Sequence, residues 1–306
     1  MEDQAPLPNS ALNTKMNNES LSIPSEKLNS IRSFIQESLK EDVGDGDHTS
    51  LSCIQKGAKG KARLLVKEQG ILAGQELAEL IFRETDQSLE VSTILFDGHL
   101  IHPGDCILEV SGEERSILLA ERLVLNCMQR MSGIATTTRR YADLVKGTAA
   151  KVLDTRKTTP GMRTLEKWAV RIGGGFNHRF GLYDMILIKD NHVDYAGGVR
   201  QAILAANSYL DKTGKKLQIE IEVRNFPELE LVLETGKIQR IMLDNFSPSN
   251  LEKAIRIIGN KYETEASGGI TESTIRKYAE TGVNFISVGA LTHSVKSLDL
   301  SLKAFV

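Results

Sequence analysis

The chain has 306 residues, with 38 Lys+Arg against 40 Asp+Glu, 41% hydrophobic and 25% charged residues. That composition excludes wholesale disorder, and the length admits two domains or one barrel with an appendage. The longest strictly apolar run, residues 202–206, is far too short for a membrane span, which needs ~18 residues. Cys53, Cys106 and Cys127 are odd in number and form no CxxC pair, which indicates neither a zinc site nor a disulfide framework. A reducing, cytoplasmic setting is the expectation.

Residues 1–25 are polar, hold three of the seven prolines and lack apolar periodicity, so a disordered tail is expected. Leu28, Ile31, Phe34, Ile35 and Leu39 then recur at helical spacing. Short strand-like runs punctuated by Gly, Asp and Pro occupy 62–74 and 89–112. Ser111 with Glu114 reads as a capping box opening a helix over 114–131. Residues 26–133 are therefore expected to form a small α/β unit.

The remaining chain, 134–306, has a different rhythm. Six short apolar runs, at 151–153, 185–188, 217–223, 238–243, 262–266 and 285–288, each end in polar residues. Helical patterns fit between them, at 164–172, 195–210, 249–258 and 272–280. Six β-then-α units predict a parallel α/β barrel short of the usual eight strands, with chemistry at the strand ends. An open doubly wound sheet is the alternative, but no strand is followed by GxGxxG.

Charge is unevenly spread. Residues 122–189 hold thirteen Lys/Arg and four Asp/Glu, a balance of +9 that leaves −11 elsewhere. Basic runs are usually solvated faces, but these residues sit in compact clusters, which suits a small polyanion held at one place. Asp154-Thr155-Arg156-Lys157-Thr158 ends the first barrel strand; Arg offers a fork and Lys a point charge for carboxylate or phosphate. His178 and Arg179 follow three glycines, and His178 taken alone reads as a donor, a general acid or a core histidine. Lys189, after a strand, is open to Schiff-base or plain charge roles.

Glu222 and Asp244 end successive strands and could bind sugar hydroxyls, hold Mg²⁺ or face a developing oxocarbenium ion. Glu220 shares the face of Glu222, leaving one of them as a layer or salt-bridge residue. The turns Ser267-Gly268-Gly269-Ile270-Thr271 and Ser287-Val288-Gly289-Ala290 sit where phosphate-binding barrels place phosphate. No Ser-His-Asp elbow is present, and aromatics at 5% do not interleave with the basic residues, against nucleic-acid binding.

With these residues in place, the sequence resembles the quinolinate phosphoribosyltransferase family. The resemblance runs from about residue 25 to 303 through EDVGDGDHTS, ERLVLNCMQRMSGIAT, LDTRKTTPGMR, GGGFNHRFGLYDMILIKDNH, EIEV, IMLDNF, EASGGI and SVGALTHS, in order. It implies an N-terminal α/β sandwich plus an incomplete α/β barrel, with the last helix able to pack back on the N-terminal domain. The implied reaction joins quinolinate and phosphoribosyl pyrophosphate, with Mg²⁺, into nicotinate mononucleotide, pyrophosphate and CO₂.

By the same resemblance Arg122, Thr155, Arg156, His178, Arg179 and Lys189 would surround quinolinate. Lys157 would lie between the substrates, and Glu222 and Asp244 would serve the ribose, Mg²⁺ and the cationic C1. Ser267, Gly268, Gly269, Val288, Gly289 and Ala290 would cradle phosphate, with His293 nearby. A ribosylated pyridine nitrogen is itself an electron sink, so Lys189 is then an electrostatic clamp and not a Schiff base. The family also implies a homodimer in which Arg122 reaches the partner's site, with hexamers in some members. Arg224 stands where the family often has an acidic residue, and one extra residue separates Glu222 from Asp244, although the EIEV register favours Glu222 over Glu220. A nicotinate-using relative and a silent ligand-binding homologue are the competing readings; a diacid better explains so many cations, and no expected carboxylate or glycine turn is missing.

Overall fold

The computed structural model describes residues 22–305. Most of the expected polar tail lies outside them, but its last residues are docked: the Ile23 N–H donates to Glu76 at 2.8 Å.

The N-terminal part begins with α1 (Leu28–Val43), which buries Ile31 and Ile35, and α2 (His48–Cys53). The Asp47 side chain caps α2 by accepting from the Ser50 N–H at 3.0 Å. Then come β1 (Lys59–Val66), β2 (Gly70–Ile71), α3 (Gln75–Thr85), β3 (Glu90–Thr93), β4 (Leu100–Ile101) and β5 (Cys106–Glu113). In β1 alternate residues Ala62, Leu64 and Val66 are buried, the period-2 pattern of a strand with one covered face. Leu77, Ala78, Ile81 and Phe82 of α3 are buried at helical spacing.

A long helix, α4 (Glu114–Leu144), follows. It starts at Glu114 as expected but differs from expectation in its cap and in where it ends. Ser111 is paired within β5, opposite Lys61 and Glu90, and Glu113 at the helix start makes no side-chain cap. The helix also continues past Met131, because Ile134, Ala135, Thr138 and Tyr141 extend its buried stripe. Gly133 allows a close crossing there: a Cβ would stand 2.3 Å from the Lys296 carbonyl oxygen.

The barrel part runs β6 (Lys151–Leu153), α5 (Arg163–Ile172), β7 (Ile186–Ile188), α6 (Asp190–Ala196), α7 (Val199–Thr213), β8 (Ile219–Val223) and α8 (Phe226–Thr235). It continues with β9 (Arg240–Asp244), α9 (Pro248–Ile258), β10 (Glu263–Ser267), α10 (Ile275–Ala279), β11 (Phe285–Ser287) and α11 (Ala290–His293). One helix expected over 195–210 is instead two, because Gly197 and Gly198 take φ of +85° and +134° and break the turn. The six strands pair in parallel in the order β6-β11-β10-β9-β8-β7. Among the described residues β6 and β7 do not pair with each other, and only Phe176 bridges to Leu153 at that edge, so the barrel is incomplete.

The chain returns to the N-terminal sheet at its end, but as strand β12 (Leu300–Phe305) and not as a helix. Leu300 and Leu302 are buried while the intervening Ser301 is less so, a strand pattern. β12 pairs antiparallel with β1, completing the order β12-β1-β5-β3. Among the described residues no helix is long and apolar enough to cross a membrane.

Candidate active site

At the C-terminal ends of the barrel strands lies a cavity of about 790 Å³. It is lined by Thr155, Arg156, Lys157, His178, Arg179, Lys189, Glu222, Asp244, Ser267, Gly268, Gly269, Val288, Gly289, Ala290 and His293. Every expected site residue is thereby brought together except Arg122. Arg122 sits on the exposed face of α4, outside the cavity, and its side chain makes no hydrogen bond or ion pair within the described residues.

The loop after β6 is fixed from below. Asp154 is fully buried and accepts from the Lys167 ammonium, from the His178 N–H at 2.9 Å and from Asn177 Nδ2 at 2.5 Å. Burial pushes the Asp154 carboxyl up and the Lys167 ammonium down, and their mutual attraction opposes both shifts. Above this pair the Arg156 and Lys157 side chains are exposed, with no ion pair of their own among the described residues. Arg179 donates to the Met185 carbonyl at 3.1 Å, and burial together with the Arg156 charge lowers its pKa. Two cations facing each other at a cavity wall are poised for an anion.

His178 is buried, with Nε2 3.0 Å from Glu220 and 3.4 Å from Glu265, distances of an ion pair whose alignment is poor for a hydrogen bond. Burial disfavours its charge, yet the two carboxylates prevail and raise its pKa to about 9. The Arg179 N–H, 2.7 Å from Nδ1, favours the neutral ring. Two nearby carboxylates outweigh this one neutral contact, so the ring keeps its charge near neutral pH. Glu265 keeps its charge against burial, through His178 and Arg240; Arg240 lies 3.2 Å away. Burial and the Glu265 charge push Glu220 up to about 7.

The two glutamates of β8 thus separate. Glu220 belongs to the buried layer, while Glu222 lines the cavity 3.5 Å from Lys189 Nζ. Burial raises the Glu222 pKa, Lys189 opposes this and Asp244 adds to it. On β9, Asp244 accepts from Ser267 Oγ at 2.6 Å and Asn245 Nδ2 at 2.5 Å. Two mutually repelling carboxylates from neighbouring strands offer hard oxygen donors, and these fit Mg²⁺. His178, Glu220 and Glu265 also lie within 4.8 Å of one another. Arg240 already neutralises Glu265, and a charged imidazole has no lone pair to give, so that cluster suits a proton and not a metal.

The SGG turn is built by close approach. Gly268 has φ +93°, and a Cβ there would stand 2.2 Å from Asn245 Oδ1. The N–H groups of Gly268, Gly269 and Ile270 make no hydrogen bond within the described residues, leaving donors for an oxyanion. Across the cavity, Thr292 Oγ1 donates to the Lys157 carbonyl at 2.8 Å, tying the cationic loop to α11.

Three wall residues escaped sequence reading: Leu187, Met242 and Glu265. Leu187, Met242 and Glu265 stand two places before Lys189, Asp244 and Ser267, where strand alternation puts them on the same inward face one layer down. That offset was a usable signal. Leu187 and Met242 give the cationic wall an apolar patch suited to a flat ring.

The model for the quinolinate phosphoribosyl transferase C-terminal domain matches residues 134–303, and that for the N-terminal domain matches 47–132. The chain belongs to the quinolinate phosphoribosyltransferase family. It is 46% identical, over 96% of its length and 88% of the relative's, to quinolinate phosphoribosyltransferase [decarboxylating] 1b of Nicotiana tabacum. It is 44% identical to the chloroplastic nicotinate-nucleotide pyrophosphorylase [carboxylating] of Arabidopsis thaliana, over 92% of this chain and 84% of that one. The solved structure of NadC from Streptococcus pyogenes superposes with TM-score 0.85 at 37% identity, covering 90% of this chain and 97% of that one. The family's two domain models meet inside α4, which this chain keeps as one unbroken helix.

Proposed function

We propose that this chain transfers the phosphoribosyl group of phosphoribosyl pyrophosphate to quinolinate, with loss of CO₂, to give nicotinate mononucleotide and pyrophosphate. The observation that carries the reading is one cavity with four cations, Arg156, Lys157, Arg179 and Lys189, facing the Glu222–Asp244 pair and two glycine turns. The diacid binds against Arg156, Arg179 and Lys189, its ring over Leu187 and Met242. The free N–H groups at Gly268–Ile270 and the Gly289 turn take the ribose phosphate, and Lys157 takes a phosphate between the two substrates.

The pyridine nitrogen attacks C1 of the ribose as the bond from C1 to pyrophosphate breaks. Glu222 and Asp244 stabilise the positive charge that C1 develops. The nitrogen, now cationic, draws in the electron pair released when the neighbouring carboxylate leaves as CO₂, and a proton takes its place. No Schiff base is required of Lys189. Mg²⁺, held by Glu222 and Asp244, would neutralise pyrophosphate charge.

The working unit is a homodimer, open to assembly into hexamers, in which Arg122 of one chain completes the partner's diacid site. Its exposure and lack of an intrachain partner support this. A cytoplasmic location accords with three unpaired cysteines; the Arabidopsis relative is named chloroplastic, so fractionation of cells carrying the tagged protein decides the compartment. The functional test supplies phosphoribosyl pyrophosphate and Mg²⁺ with quinolinate or nicotinate in parallel. Nucleotide and CO₂ from quinolinate alone are expected, whereas turnover with nicotinate alone overturns the reading.

A further inference from the structure

α5 carries two consecutive buried charges, Glu166 and Lys167, with 0% and 2% exposure, among buried Leu165, Trp168 and Ala169. Charges so deeply buried cost several kcal/mol unless they are paired. Both are paired, and their side chains grip opposite ends of the cationic loop.

Lys167 holds the upstream end. Its ammonium binds the Asp154 carboxylate and the His178 carbonyl, the latter at 3.0 Å. Asn177 Nδ2 donates to the Lys167 carbonyl at 2.8 Å and also to Asp154, closing the knot. The segment just before Arg156 is thereby tied to the segment just before Arg179.

Glu166 holds the downstream end. It accepts from the Thr159 N–H at 3.1 Å and from Arg130 Nη2 at 2.8 Å. Arg130 in turn donates to the Thr292 and Val295 carbonyls, and Thr292 Oγ1 donates to the Lys157 carbonyl. Lys157 is thereby tied to α11 and the Gly289 turn.

We infer that Lys167 and Glu166 are positioning residues with separate tasks, Lys167 aligning the acceptor side of the site and Glu166 the donor side. The assignment of sides rests on the function proposed above. Misplacing a binding group by about 1 Å costs on the order of a hundredfold in rate, so neither residue need touch a substrate to matter.

Steady-state kinetics with each substrate varied separately tests this, alongside melting temperatures. The variants are Glu166→Gln and the pair Asp154→Asn with Lys167→Met, which removes both buried charges together and leaves neither alone. The neutral pair is expected to raise KM for quinolinate about tenfold or more, with KM for phosphoribosyl pyrophosphate within about threefold. Glu166→Gln is expected to do the reverse. Equal changes in both KM values, or a lowered melting temperature with both unchanged, would show a structural role only and overturn the inference. A wild-type enzyme that does not turn over quinolinate would instead defeat the functional reading, before any variant is made.

Discussion

The Lys157 side chain lies across Gly289: a Cβ at position 289 would stand 3.1 Å from Lys157 Cδ and equally close to the His293 ring. The strand-to-helix turn is bare at the place where Lys157 crosses it.

Gly289→Ala therefore tests the lysine's path without touching the lysine. Gly289 has φ −63°, which alanine adopts freely, and the obstructed atoms belong to exposed side chains. Stability is expected to change by less than ~1 kcal/mol, while turnover falls toward that of Lys157→Ala. Unfolding curves and kcat together check this; unchanged turnover would show that Lys157 reaches its working position without crossing the space above Gly289.

Gly268→Ala should behave differently. Its φ of +93° disfavours any side chain, and the Asn245 backbone N lies 2.9 Å from the added carbon, besides the side-chain clash. Strain of this kind costs about 1–3 kcal/mol. A lowered melting temperature together with weaker phosphoribosyl pyrophosphate binding is expected, measured by thermal unfolding and calorimetry.

Arg122→Ala and Lys189→Ala are each expected to be nearly inactive, with normal folds. Mixed and allowed to exchange subunits, they should recover activity approaching about a quarter of wild type, because half the dimers then carry one intact site. Activity that stays at the level of the single variants, with exchange verified by labelled subunits, would place Arg122 outside the partner's site.

The His178 pKa, raised to about 9 from 6.5, sets a pH dependence of stability. The folded state holds this proton more tightly than the unfolded state. The stabilisation is thus complete below about pH 6.5 and is lost as pH rises through about 9, amounting to about 3 kcal/mol. Urea unfolding between pH 6 and 9.5 should show that decline. Glu220→Gln, with one carboxylate fewer beside the ring, should show a shallower one.

The rim of the site was legible because each barrel strand ends in residues that have no other reason to cluster there, as with Thr155-Arg156-Lys157 after a strand of three. The layer beneath was harder to see. Met242 and Leu187 look like ordinary core residues, and only strand register reveals that they face the cavity. The buried ion pairs were invisible for a different reason. Asp154 and Lys167, or Arg130 and Glu166, meet through tertiary packing, and no local pattern marks a charged residue as paired. Ser111 misled because a Ser-x-x-Glu spacing occurs as readily in a strand that runs directly into a helix.

β12 has a consequence for how the molecule assembles. β1 lies between β5, which precedes the barrel, and β12, which follows the entire barrel. One edge of the first sheet to leave the ribosome must therefore wait for one of the last segments to arrive. Closing so long a loop is slow relative to local pairing. Until then β1 offers an open edge that another chain could occupy. Removing β12 should thus impair not the chemistry of the cavity but the yield of properly assembled protein.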